Sequence, residues 1–248
     1  MATAVERRTG TRLRRRLLFP TPWALAMALF VCVAAPVTLV TLQIDANAKF
    51  SPIDEPAHLD YVDRAASAEI PRQGEHLLDS TLRELACRGL ALGDTNLPPC
   101  AAPTLRPEQF PGEGSQYEAH HPPGYYVATV PLRWLTRDLL GIDDKVDATR
   151  ATGALWLIAG LLLAWAAGRV MGIDPLPLGA ALLLLASAPT VIYQSSIVTN
   201  DATAVFAGGS VGLAGALAFR HDGPGSPPTQ PGGWGQPTIH PGGDRRLC

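Results

Sequence analysis

Four stretches of the chain are apolar almost throughout, and the residues between them are polar or mixed. The first, residues 22–44, reads PWALAMALFVCVAAPVTLVTLQI. The others cover residues 149–169, 175–194 and 201–220. A helix rises about 1.5 Å per residue and the hydrocarbon core of a bilayer is about 30 Å thick, so each run is near the length needed to cross. Lipid offers a backbone no hydrogen bonds, so helices are the expected form. The first run is long for a signal-peptide core and shows no small-residue cleavage pattern before Lys49, so it reads as a retained span. The pattern predicts an all-α membrane protein with about four transmembrane helices.

Between the first two runs lies a loop of mixed character, residues 45–148. Its spacing predicts short helices around 55–69 and 79–88. From about 93 to 124 it is rich in Pro and Gly, which predicts little regular structure. Residues 125–140, YYVATVPLRWLTRDLL, mix apolar side chains with Arg133, Arg137 and Asp138. That mixture predicts an interfacial amphipathic helix rather than another span. The tail, 221–248, is Gly- and Pro-rich without periodicity, and a disordered segment is expected there.

Charge adds direction to this pattern. The net charge is only −2, but its distribution is uneven. Arg7, Arg8, Arg12, Arg14, Arg15 and Arg16 crowd the first twenty residues, with Glu6 as the single acid. Because they abut an apolar run, the arginines read as a cytoplasmic anchor (residues 1–21) and not as a nucleic-acid patch. The loop 45–148 then lies outside the membrane, and Arg169 and Arg220 fall inside. Arg150 is the exception: it sits on the outer edge, where it could snorkel to the interface.

With that topology, three polar stretches share the outer side. DEPAH (54–58) follows the first span, HHPPGYY (120–126) ends the loop, and SSIVTND (195–201) turns into the last span. Pro56 suits a first helical turn, with Asp54 or Glu55 as its cap. Asp54 and His58 are one turn apart, and a carboxylate beside an imidazole also suits proton transfer or metal ligation. Pro122 and Pro123 stiffen the backbone after His120 and His121, with Tyr125 and Tyr126 behind them. Asp201, after Asn200, is either a helix cap or a carboxylate reaching into a shared cleft. In the last span Gly208, Gly212 and Ala216 recur every four residues, a small-residue stripe for helix packing. Cys87 and Cys100 lie in the outer loop, where a bridge can persist, and they are either bridged or free. Cys32, inside the first span, reads as a small apolar residue.

Taken in order, IDEPAHLDYV, HHPPGYYV and SSIVTNDA resemble a family of bacterial predicted multi-pass membrane proteins of unknown function. That family in turn resembles the GT-C superfamily of polytopic glycosyltransferases. The resemblance covers roughly residues 20–220. It implies a bacterial plasma-membrane protein that uses a polyprenyl-phosphate sugar as donor, with membrane lipid as its surroundings and no nucleic acid. It implies Asp54 or Glu55 as the catalytic carboxylate, either as base or as contact to a divalent cation. His58, His120, His121, Tyr125, Tyr126, Asn200 and Asp201 become substrate-binding positions. Arg64 or Arg133 becomes a helper for the departing phosphate. GT-C proteins carry many more spans, and the composition changes abruptly at His221. Two expectations follow: a working transferase, or a truncated member that is inactive. A non-enzymatic assembly or binding partner in cell-envelope biogenesis is the alternative.

Overall fold

The computed structural model describes residues 21–91 and 96–221. The Arg-rich start and the Gly/Pro tail, beyond their edge residues, lie outside the described residues. Among the described residues the chain is helical, and its β-type pairs are the single bridges Phe50–Leu90 and His76–Ser115.

Three helices are long and apolar enough to cross a membrane: α1, Pro22–Ala46; α5, Lys145–Val170; and the segment Asn200–Phe219, whose α-helical part is α8, Ala204–His221. In α1, Pro36 cannot donate to the preceding turn, and the helix widens into a π-turn at Phe30–Ala34 just before it. The segment 175–194, expected as one span, is instead two short helices: α6, Pro175–Ala186, and α7, Pro189–Gln194. Pro189 explains the break. It has no N–H to continue the helix, and it holds Ala188 extended at φ −63° and ψ 129°. The 12 residues of α6 rise only about 18 Å, short of a bilayer core.

The bundle has its own core. Val31, Cys32 and Val40 of α1 pack with Leu157 and Leu161 of α5 and with Leu178 and Leu182 of α6. Helices α5 and α8 touch backbone to backbone. A Cβ added at Gly160 would lie 2.5 Å from the Phe206 nitrogen, and one at Gly209 would lie 2.5 Å from the Gly160 oxygen. Further along both helices Ala167 meets Gly212, so the two run parallel. Of the stripe predicted at Gly208, Gly212 and Ala216, Gly212 meets α5 and Ala216 is buried, but the tightest contact is made by Gly209, while Gly208 faces open space. A period of four drifts around a helix of 3.6 residues per turn, so composition locates the stripe only to within a residue.

The loop folds as a second, polar-ended body. It contains α2, Glu55–Ala66; α3, Asp79–Arg88; and α4, Gly124–Trp134, which runs on through a π-turn at Leu135–Leu139. Phe50, Leu59, Tyr61, Val62, Leu82, Leu85, Phe110 and Tyr126 form its core, joined by Val146 of α5 and by Val198. The Pro/Gly-rich part is not featureless. Tight 3-10 turns at Pro107–Gln109, Pro111–Gly114 and Tyr117–His120 fold it back onto α2. Gly114 is required there: its φ is +58°, and a Cβ would lie 3.1 Å from Pro107. Cys87 and Cys100 form a disulfide that ties this segment to α3. Arg88, next to Cys87, pairs with Asp144 and Asp147 at the start of α5, which fastens the loop body to the bundle.

Gly160→Ala should destabilise the protein by about 1–3 kcal/mol, because two backbones must part to admit the methyl. Gly208→Ala should be neutral. Thermal unfolding in detergent micelles would separate the two, and equal melting temperatures would refute the contact. For the bridge, Cys87→Ser should cost about 3 kcal/mol, as the chain-entropy model gives for a loop of this size. Non-reducing peptide mass spectrometry should find Cys87 and Cys100 linked. Both cysteines alkylating without reductant would refute the bridge.

Candidate functional site

The centre of the polar end is a buried ion pair. Glu55 opens α2 and Arg150 lies in the second turn of α5; both side chains are within 1% of complete burial. Arg150 Nε donates to Glu55 Oε1 at 2.7 Å and its Nη2 to Oε2 at 2.9 Å. The same guanidinium donates to the carbonyls of Asn47, at 2.7 Å, and Lys49, at 2.8 Å. Glu55 also accepts from the backbone N–H of Ser51, at 2.7 Å, and of Val198, at 3.0 Å. The Glu55–Arg150 pair thus joins the end of α1, the start of α2, α5 and the strap before α8. Arg150 does not snorkel. Helix α5 starts at Lys145, capped by Asp144, which is four residues earlier than the apolar run predicts, so Arg150 is carried inside the loop body. Glu55 is committed to this anchor and presents no free oxygen to a substrate.

Residues 55–62 of α2 are all buried, although three of them are Glu55, His58 and Asp60. Buried polar groups must be matched, and here they are. Asp60 accepts from Arg64 Nε at 2.7 Å, from the Leu78 N–H at 2.6 Å and from Gln116 Nε2 at 3.0 Å. His58 Nδ1 bonds the Tyr126 hydroxyl at 2.8 Å, and Tyr126 stacks flat on Tyr61 with centroids 3.7 Å apart. Burial, followed by the neighbouring His121 and His120, lowers the His58 pKa to about 4, so it is neutral at ordinary pH.

Glu118 breaks the rule. It sits on the Tyr117–His120 turn, which Gln116 caps by accepting from the Glu118 N–H. Its side chain is 5% exposed and lies 2.7 Å from His121 Nε2 and 3.8 Å from His58 Nε2. Neither contact has hydrogen-bond geometry: Glu118 Oε2 is left without a partner, as is Thr81 Oγ1, among the described residues. Glu118, His120 and His121 each offer a ligand atom within 4.8 Å of the others, a grouping able to hold a metal ion. Burial is the largest effect on Glu118 and raises its pKa; Asp54 and Asp201 push the same way, while His121 and His120 oppose them. Among the described residues, no lysine or arginine is one of the charges that act on it.

Asp54 stands at the edge of this cluster. It occupies the cap position of α2 but makes no side-chain cap bond, and its backbone is left-handed at φ 57°. Non-glycine residues rarely adopt that conformation, and Asp tolerates it better than most. Its carboxylate lies beside the Tyr117 hydroxyl, whose pKa is raised first by burial and then by Asp54. Asn200 approaches His121 at 3.2 Å, from side-chain nitrogen to Nδ1. The turn Asn200–Thr203 is capped by Thr199, not by Asp201, which leaves the Asp201 side chain exposed.

The structure thus brings together Asp54, His58, His120, His121, Tyr126, Asn200 and Asp201 around Glu118. Tyr125 is different: its ring lies toward Trp156, at 6.4 Å, and its hydroxyl is set by Thr129 and the Thr199 backbone. Arg64 and Arg133 do not serve the cluster either. Arg64 pairs with Asp60 and Glu75, and Arg133 with Asp63 at 2.5 Å. Sequence reasoning missed Glu118 and Tyr117, although the signal was in YEAHH: an acid two and three residues before paired histidines.

Below the cluster an apolar groove of about 520 Å³ opens between α5, α6 and α8, lined by Ala164, Leu178, Val191, Val205, Gly208 and neighbours. A smaller cavity of about 230 Å³ shares Val191, Ala204 and Val205 with it and is also lined by Asp201. The groove therefore leads along α8 to an acid of the cluster. Comparison of the chain with protein-family models, with curated proteins and with solved structures finds no match.

Removing one member of the central pair should be costly. Arg150→Met leaves Glu55 buried and unpaired and should destabilise by about 3–5 kcal/mol, with Glu55→Leu similar. The double variant Glu55→Leu/Arg150→Met should recover part of the loss. Thermal unfolding of the three variants measures this, and additive losses would contradict direct coupling.

Proposed function

We propose that the protein is a membrane enzyme of the polyprenyl-phosphate-dependent glycosyltransferase type. It sits in the bacterial plasma membrane with its N-terminus cytoplasmic and its loop body outside, and α6 and α7 cross together as a broken fourth span. The observation that carries the reading is the meeting of an apolar groove with the acid and imidazole cluster. A lipid tail fits the groove along α8, and its polar head then lies beside Asp201, whose charge also acts on Glu118. Groups from the three separated stretches DEPAH, HHPPGYY and TND surround that point.

In this reading Asp54 is the base. Its carboxylate is half-buried and free of the Arg150 anchor that holds Glu55. It takes the proton from an acceptor hydroxyl, whose oxygen forms a bond to the anomeric carbon. The bond between that carbon and the phosphate oxygen breaks, and polyprenyl phosphate leaves with the electron pair. His58, neutral and fixed by Tyr126 through Nδ1, offers a hydrogen bond from its other ring nitrogen to a sugar hydroxyl.

The test is transfer from a radiolabelled polyprenyl-phosphate sugar by the purified chain in micelles. Asp54→Asn should lower the rate by about 10²–10⁴-fold, the usual contribution of a positioned base. Asn tolerates the left-handed backbone, so folding should be kept. Glu55→Gln should instead lower the yield of folded protein. Unchanged transfer in Asp54→Asn removes the proposed role. A folded wild-type chain without transfer favours a binding partner over an enzyme.

A further inference from the structure

We infer that Glu118, His120 and His121 form a binding site for one divalent metal ion of the zinc class. The binding claim stands on the cluster alone; its use in sugar transfer rests on the transferase reading above. Three observations converge on it.

The first is the orphaned oxygen. Glu118 Oε2 is buried and has no hydrogen-bond partner, yet the nearest ring nitrogen is 2.7 Å away. An ion pair at that distance would align an N–H with the oxygen. Two potential donor atoms this close, with no aligned N–H between them, need only small side-chain rotations to face one cation. Leaving a carboxylate oxygen buried and unmatched is costly, and a cation removes that cost.

The second is the state of the imidazoles. His120 Nδ1 lies 2.8 Å from the Tyr117 carbonyl, which can only accept. Nδ1 therefore carries the proton, and Nε2 is left with its lone pair. A ligating histidine is usually fixed in this way, through a bond from its other nitrogen. His121 Nδ1 faces the Asn200 amide. Rotating that amide by a half-turn presents its oxygen, and this frees Nε2 of His121 in the same manner; the two orientations fill the same space.

The third is the charge balance. Three carboxylates, Asp54, Glu118 and Asp201, act at one place with only histidines to offset them. Both arginines expected to help there are bound elsewhere. The donor set selects the metal. Imidazole nitrogen with carboxylate oxygen suits zinc, and cobalt in its place, whereas magnesium and calcium prefer oxygen alone. The ligands come from one turn, residues 118–121, held by Gln116 and followed by Pro122 and Pro123, so the site is rigid at its base. When bound, such an ion supplies the positive charge that a departing phosphate requires.

The experiment uses the full chain, purified with a tag free of histidine, stripped with chelator and reloaded with Zn²⁺ or Co²⁺. After desalting, elemental analysis should find one metal per chain, and Co²⁺ should give the absorption bands of a low-coordinate nitrogen and oxygen site. Glu118→Gln and His120→Asn should each weaken binding at least about tenfold. His120 is exposed, so its variant keeps the test open if Glu118→Gln misfolds. His76→Asn, an exposed histidine outside the cluster, should bind as the parent does. A parent chain that retains no metal overturns the inference, as does a Glu118→Gln/His121→Asn variant that binds with parental affinity. Metal bound without sugar transfer would sink the transferase reading and leave the site standing; transfer by a chain that binds no metal would do the reverse.

Discussion

The Glu55–Arg150 pair is the constraint on which the polar end of the molecule depends. Two charges removed from water lose strong solvation, and they are tolerated only where each is fully matched. Here the matching partners come from four parts of the chain: the end of α1, the start of α2, the second turn of α5 and the strap before α8. The pair can form only when all four are in place. Its significance is therefore register more than net energy, since a buried pair contributes little over an apolar replacement of the same shape. The pair fixes where α2 begins, and Asp54 and His58 lie within one turn of that point.

From that anchor the rest of α2 follows a single rule: each buried polar side chain finds a partner. His58 finds Tyr126, and Asp60 finds Arg64, Gln116 and the Leu78 N–H. These bonds recruit α4, the Pro/Gly-rich segment and the α3 approach around one helix. Glu118 departs from the rule beside the anchored helix, and a departure inside a well-matched network is more informative than one on a surface. Structural needs account for Glu55 and Asp60, whereas they do not account for the orphaned oxygen of Glu118.

The bundle supplies the other half of the arrangement. Parallel α5 and α8 need a return between them, and the break at Pro189 makes that return out of two short helices. The Gly160–Gly209 contact draws α5 and α8 together, while Gly208 and Ala164 leave a groove beside it. Small residues thus act in two ways on the same helix. One face permits close packing, and the adjacent face leaves space that runs toward Asp201.

The sequence by itself determined the helical class, three of the four spanning-length helices it predicted and the two short loop helices, and it singled out the three polar stretches. These follow from length, hydropathy and proline chemistry, which act locally. It also offered two neighbouring candidate acids, Asp54 and Glu55, without separating their surroundings. Only the tertiary structure separates them, because the difference is Arg150, which lies 95 positions from Glu55. Burial of Arg150, the break within 175–194, the shift from Gly208 to Gly209 and the isolation of Glu118 were decided in the same way. Each depends on what packs against a residue from elsewhere in the chain, and neither periodicity nor composition carries that information.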